Sequence, residues 1–335
     1  MFRLCGLHTG PDFGIGAATA LAGVAPGQAG AGMSVLTDIH LVQETGAGRF
    51  RLHDLLRAYA GERASAEEPV PQRRAATLRL VSWYLHTADG AARLLIPQRR
   101  ALELPGPPEG CRPLAPGDYQ AALAWFSQER ANLVSAVQQA REDGHHAECW
   151  KLAATASSYF MLARHWADWE ATSETGLAAA RALGDREAEA WMLSVLGVAY
   201  WQLGRLDLGV DRQALALFRG DRNTFGVGMA LDTLGQIHQA RGRPGQALSC
   251  FEQSWAARRL AGDRHGEAVA LQHLGGARRA AGDLSGAQDA WWRALEIYDA
   301  LNSPGSAEVR AALAGELARP AQRGRVASSD PAAAR

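Results

Sequence analysis

Apolar residues in the second half of the chain recur at three- and four-residue spacing, and the pattern itself returns three times between Glu187 and Leu301. Leu196-Gly197 is followed by Gly204-Arg205, Leu234-Gly235 by Gly242-Arg243, and Leu274-Gly275 by Gly282-Asp283. The spacing of about 40 residues without strand-like alternation predicts stacked helical hairpins. In each unit an apolar first helix carries Leu-Gly, ends at a glycine turn, and is followed by a second helix. A small residue, Gly209, Ala247 or Ala287, lies in the first turn of that second helix and lets the two helices approach closely. Phe251 with Trp255, and Trp291 with Leu295, share a face at i, i+4.

This pattern resembles the tetratricopeptide repeat, lengthened by a loop containing Gly-Asp-Arg at Gly184, Gly220 and Gly262. The helix-ending proline of the consensus is absent, and the second helix of the first unit, Leu208 to Arg219, is about a turn short. Run backwards, the template makes Trp150 to Leu183 a fourth, degenerate unit with Trp169 at the small-residue position. Run forwards, it makes Pro304 to Leu317 a helix that caps the open end of the stack.

The first 66 residues read as a small module: a helix from Gly14 to Ala22, a second opened by Pro26, and two short strands, Leu41 to Thr45 and Arg49 to His53, around Gly46-Ala47-Gly48. A helix from Leu55 to Arg63 follows, capped by Asp54. Helix, helix, hairpin, helix is a winged-helix outline. Residues 67–146 read as bridging helices. Glu67 to Val70 is a linker, a long helix runs to about Leu95, Pro105 to Pro116 is an exposed loop, and a second long helix begins at Asp118. Residues 147–318 hold the repeats and the cap, and 319–335, rich in Ala, Ser, Pro and Arg, form a disordered tail. The expected fold is therefore all-α: a tetratricopeptide-type solenoid behind bridging helices and a small winged-helix remnant.

The stretch GRFRLHDLLRAYAGERA (Gly48 to Ala64), with LCGLHTGPDF near the start, resembles the winged-helix segment that closes the nucleotide-binding module of NB-ARC (STAND-type) regulators, especially the actinobacterial AfsR-like antibiotic-regulatory group. The helices from Asp118 to Val137 are similar to the bridge of that family. The resemblance implies that Leu52-His53-Asp54 stands for a nucleotide-sensing motif, with His53 at the phosphates of bound ADP and Asp54 beside it. Without the rest of that module, Asp54 is a helix cap and His53 the end of a strand. A phosphate-binding loop needs a lysine after a glycine-rich turn. The sole lysine, Lys151, lies inside a predicted helix. The chain is thus expected to be the C-terminal part of a longer regulator, or to begin after the ATPase core.

Charge narrows the reading. Thirty-five basic and thirty-five acidic residues give a formal net charge of zero, whereas a DNA-binding module needs a basic face. Only Arg49, Arg51 and Arg57 lie near the wing, so direct DNA contact by this chain alone is not expected. Four cysteines far apart argue against a disulfide framework or zinc site and suit a reducing cytoplasm. No window is apolar enough for a membrane span, and no histidine spacing suggests a metal. No cofactor, metal or catalytic residue is predicted, and the chain is not read as an enzyme.

The expected activity is protein–protein interaction as the sensor region of such a regulator; the alternatives are a stand-alone repeat adaptor and a DNA-binding winged-helix regulator. A protein or peptide partner is expected in the concave groove, against Trp191, Trp201, Asp232, Gln236, Gln239, Gln272 and Arg279 on the first helices. Packing of the two tryptophans on the neighbouring unit is the competing reading.

Overall fold

The computed structural model describes residues 1–46 and 48–317; Ala47 in the expected hairpin turn and the expected tail, 319–335, lie outside the described residues. The N-terminal module runs α1 (Phe2–Cys5), β1 (Phe13–Gly14), α2 (Ile15–Ala22), α3 (Pro26–Asp38), β2 (Gln43–Gly46), β3 (Arg49–Arg51) and α4 (Asp54–Glu67). Its antiparallel sheet has the order β1-β3-β2, so the two expected strands are joined by a third, with Phe13 opposite Phe50. Sequence reading missed β1 because two residues carry no periodicity. The side chain of Asp54 does not cap α4: the N-cap residue is His53, and Asp54 is the first helical residue, its carboxylate exposed where it favours the positive end of the helix.

Pro69 turns the chain directly from α4 into α5 (Val70–Leu95), so the expected linker at Glu67 to Val70 is a tight elbow, held by Arg3 pairing with both Glu67 and Glu68. The second bridging helix is α6 (Tyr119–Glu142), whose cap Asp118 accepts a hydrogen bond from the Ala121 amide at 2.8 Å. One contiguous apolar core runs from Cys5 through Trp83, Tyr84 and Phe126 to Ile237, unbroken at residues 66 and 146.

The hairpins follow as α7 (His146–Leu162) with α8 (Trp166–Leu183), α9 (Arg186–Gln202) with α10 (Gly209–Gly220), α11 (Thr224–Ala240) with α12 (Pro244–Leu260), and α13 (Arg264–Ala280) with α14 (Leu284–Ala300). The capping helix is α15 (Gly305–Leu317). The Leu-Gly glycines exist for close approach. A Cβ at Gly235 would stand 2.5 Å from the Phe251 ring, and one at Gly275 2.4 Å from the Trp291 ring, because each second helix lays an aromatic side chain on the backbone of the first.

The first unit departs from this plan in a way the sequence pattern hid. The residue beneath Gly197 is Asp211, at the place of Phe251 and Trp291, and the expected spacer Gly209 merely opens the short α10. Asp211 is fully buried and neither carboxylate oxygen has a hydrogen-bond partner among the described residues. Burial pushes its pKa up to about 8, opposed by its own backbone amide, which is too poorly aligned for a regular hydrogen bond, and aided by Asp207.

Candidate functional site

Three first helices start from equivalent caps. Asp185, Asn223 and Asp263 each accept a hydrogen bond from a first-turn amide, Ala188, Gly226 and Gly266 respectively, at 2.9–3.0 Å. These caps set the true register of the units. Trp191, Met229 and Val269 stand six residues after them, and all three line one cleft. That cleft, about 800 Å³, is bounded by Ser157 and Ser158 of α7, by α9, by the beginnings of α11 and α13, and by the end of α12. Its size lies towards the upper end of the ~300–1,000 Å³ typical of ligand sites.

The remaining wall comes from outside the repeats. Residues 96–118 carry no regular structure; the expected loop within them, Pro105 to Pro116, is largely exposed but tied down along its length. Arg99 reaches Asp89 of α5 at 3.0 Å, the Leu114 amide donates to Thr87 at 3.0 Å, Lys151 donates to the Glu103 carbonyl at 2.9 Å, and Cys111 is buried. Thus strapped to α5 and α7, the segment lays Gln98, Arg99, Arg100 and Leu102 along the cleft. The rings of Trp191 and Phe225 are near parallel, 6° apart with centroids at 6.1 Å, and the Arg100 guanidinium lies over both, 4.7 Å from Phe225 and 5.9 Å from Trp191. Arg258 stands 5.1 Å from the Phe225 ring and is ion-paired with Asp263.

Of the seven residues expected in the groove, only Trp191 lines this cleft. Trp201, Gln239 and Arg279 stand sixteen residues after their caps, at the far ends of the first helices. Trp201 packs at the edge of the core and Arg279 lies over the Trp291 ring, while Gln239 is exposed. Asp232 is buried. It accepts hydrogen bonds from His273 of the next unit at 2.9 Å and from Gln236 at 2.8 Å, so these two expected contacts are spent within the stack. Burial alone would raise the Asp232 pKa, but His273 outweighs it and the net shift is downward; burial likewise opposes the His273 imidazolium, and Asp232 prevails to raise it. Gln272 donates to Glu308 of the capping helix and accepts from the Tyr298 hydroxyl, both at 2.9 Å. Sequence reading missed Arg100, Arg222, Phe225 and Met229. The caps could have revealed the last two, because counting from Asp185, Asn223 and Asp263 puts them on the face of Trp191.

In the N-terminal module, His53 and Asp54 lie side by side and exposed, in a shallow depression with His40, Gln43 and Arg51. Arg49, expected as a candidate DNA contact, is instead buried. It pairs with Asp12 of the β1 approach and with Glu129 of α6, because wing and bridge close over it. Glu129 also accepts from Asn132 at 2.6 Å and from Tyr84 at 3.3 Å, and the Tyr84 hydroxyl meets His8 Nε2 at 3.0 Å. The Gly10 amide donates to His8 Nδ1, which leaves the proton on Nε2. Burial holds the His8 pKa down to about 4. Arg57 is turned to the Gly10 carbonyl at 3.0 Å, and α3, the helix that a winged helix would offer to DNA, contains no basic residue. Among the described residues no group of histidine, cysteine and acidic side chains could hold a metal ion, and no helix is long and apolar enough to cross a membrane.

Comparison with known proteins agrees with this architecture. Residues 226–300 match the tetratricopeptide repeat family. The chain is 33% identical over 298 residues to the regulatory protein AfsR of Streptomyces griseus, covering 76% of this chain and 30% of that protein. It is 30% identical over 309 residues to AfsR of Streptomyces coelicolor, covering 89% of this chain and again 30% of the relative. The chain thus spans less than a third of the length of these curated relatives. Among solved structures, BtubC (BKLC) from P. vanneervenii aligns with a TM-score of 0.45 at 17% identity, over 65% of this chain and 92% of that one. A STAND protein with a tetratricopeptide repeat sensor from Pyrococcus horikoshii aligns with a TM-score of 0.41 at 12% identity, over 89% of this chain and 50% of that one.

Proposed function

Because this chain is homologous to one stretch of the AfsR regulatory proteins, we propose that it is the sensor and protein-interaction part of an NB-ARC-type transcriptional regulator. The observation that carries the reading is the cleft on the first helices, floored by Trp191 and Phe225 and walled by a segment of the bridge. A partner seated there touches α7, α9, α11, α13 and the strap together. The strap is tied to α5, and α5 and α6 share one core with the N-terminal module. Occupancy therefore bears mechanically on the bridge and on the face where His53 is exposed. Through that face the module meets the nucleotide-binding part of the longer regulator, with His53 as the phosphate-sensing residue and Asp54 beside it. In this reading the chain, which carries no lysine-bearing phosphate loop, is a non-enzymatic module of a cytoplasmic regulator.

Calorimetry of the purified chain with ATP is expected to show no binding at micromolar concentrations, because the ammonium that neutralises the β and γ phosphates is missing. Saturable micromolar binding would mean that nucleotide is sensed within these residues. The interaction reading is tested by a photo-crosslinking amino acid placed at Met229, in the cleft, or at the exposed Gln253 of α12. In extracts of the source cells, the first position is expected to capture a protein that excess unlabelled wild-type chain displaces and the second is not. Equal capture at both positions, or none at Met229, would contradict a concave binding face.

A further inference from the structure

The cleft carries a charge pattern that narrows what it binds. Its lining includes four arginines and one acid, Asp263. Arg258 is neutralised by Asp263, and Arg99 by Asp89. Arg100 and Arg222 form no ion pair and no side-chain hydrogen bond among the described residues. Two guanidinium groups without an ion partner thus line the cleft, Arg100 lying over the Trp191 and Phe225 rings and Arg222 beside them, with Met229 and Val269 as the aliphatic floor. His265, which also lines the cleft, is held towards its neutral form by burial.

Arg222 stands at a left-handed junction, as Arg164 (φ 57°) and Asn302 (φ 49°) do before other helices. The residue immediately before each cap is in the left-handed backbone region, and at two of the three hairpin junctions it is glycine, Gly184 (φ 68°) and Gly262 (φ 69°). At the third it is Arg222, with φ 53°. A side chain disfavours that conformation, so the junction carries a backbone strain that the other two avoid, and what is gained is a guanidinium on the cleft.

We propose that the cleft binds an acidic peptide segment of a partner protein, its carboxylates held by Arg100 and Arg222 and its apolar side chains on Met229 and Val269, beside the Arg100-covered rings of Trp191 and Phe225. This rests on the concave-face reading above and goes on to name the chemistry of the occupant. A guanidinium receives a carboxylate bidentately, and each such contact is charge-assisted. Two free cations are too few to hold a nucleic-acid backbone, whereas a cleft continuing across four stacked helices suits an extended peptide.

The test uses the whole purified chain and three dye-labelled decapeptide pools, read by fluorescence anisotropy: Glu alternating with Leu or Phe, Lys in place of Glu, and Gln in place of Glu. The Glu pool is expected to bind, less tightly as salt rises, and the Lys pool not to bind. Arg100→Ala and Arg222→Gly are each expected to weaken the Glu pool by about tenfold. Arg222→Gly should do so while leaving the melting temperature unchanged or higher, since glycine relieves the left-handed strain, so lost binding cannot be ascribed to lost folding. Equal affinity for the Glu and Lys pools, no binding of the Glu pool, or undiminished binding by Arg222→Gly would overturn the proposal. Binding of the Gln pool as tightly as the Glu pool, abolished by Trp191→Ala, would overturn the acidic class yet keep the concave site; absence of crosslinking at Met229 would remove the site itself.

Discussion

Asp211→Phe is expected to stabilise the protein by ~2–4 kcal/mol at pH 8, against the usual tendency of substitutions in a core to destabilise. Two of the three units put an aromatic ring beneath the Leu-Gly glycine; the unit at Gly197 puts a buried carboxylate there, without a hydrogen-bond partner among the described residues. An isosteric Asp211→Asn separates charge from shape. The folded-state pKa of Asp211 is raised to about 8 from an ordinary 3.8, so between those values the native state binds a proton that the unfolded chain does not. Stability contributed by the neutral acid is full below about pH 4 and falls as pH rises, by ~1.4 kcal/mol per unit, until the group is ionised in both states. The buried neutral His8 acts oppositely: its depressed pKa of about 4 means stability is lost as pH falls below 6.5. Burial also lowers the pKa values of His86, His145, His238 and His265, which act in the same direction as His8 below pH 6.5, so the Asp211 decline stands out between pH 6.5 and 8. In that window His273, whose folded pKa is raised by Asp232 against the opposing effect of burial, also contributes a loss with rising pH. Chemical denaturation from pH 6.5 to 8 checks this: the wild type should weaken and Asp211→Asn should keep only the residual slope. An unchanged slope in the variant would mean that Asp211 is ionised and solvated in the native protein.

Arg49→Met is expected to have the opposite and larger effect, a loss of ~3–5 kcal/mol. The guanidinium sits between Asp12 and Glu129, and Glu129 is 2% exposed. Removing the cation strands a buried carboxylate, and this costs more than the pair gains over an apolar replacement. Arg49→Met combined with Glu129→Leu should therefore recover a large part of the loss, the signature of coupled neighbours. Thermal unfolding of the two single variants and the double variant measures it. Simple addition of the single effects would mean that wing and bridge are not joined through this pair. The joint explains why two of the three candidate arginines are not free to contact DNA, Arg49 being inside it and Arg57 held by the Gly10 carbonyl, while Arg51 stays exposed on the wing.

What the sequence made legible follows from how strongly each feature is repeated. The hairpins from Trp150 onward, the capping helix and the bridging helices are read from period and glycine turns, and the helices form where those signals put them. The register inside the repeat was less legible. Matching Gly220 with Gly184 and Gly262 misaligned the first unit by two residues, since Gly220 closes α10 and Arg222 takes the left-handed position. That slip concealed both Asp211 in the core and Arg222 on the cleft. The strap was illegible for another reason: its contacts join Arg99 to Asp89 and Leu114 to Thr87, pairings that no local periodicity encodes. Trp191 was found because it is a large aromatic residue on a first helix. Asp232 and Gln272 were polar residues on helical faces whose partners, His273, Tyr298 and Glu308, come from other elements, and Gln236 is bound to Asp232 within its own helix.

The most direct test of the concave site sets Trp191→Ala beside Leu231→Ala, with thermal unfolding and crosslinked capture at Met229 measured on the same preparations. Leu231 is 3% exposed in the seam, and its truncation should cost ~2–5 kcal/mol of stability. Trp191 is partly exposed on the cleft, so its truncation should lower the melting temperature by only a few degrees while abolishing capture. Trp191→Ala unfolding as badly as Leu231→Ala, or capturing its partner as well as the wild type does, would contradict the account.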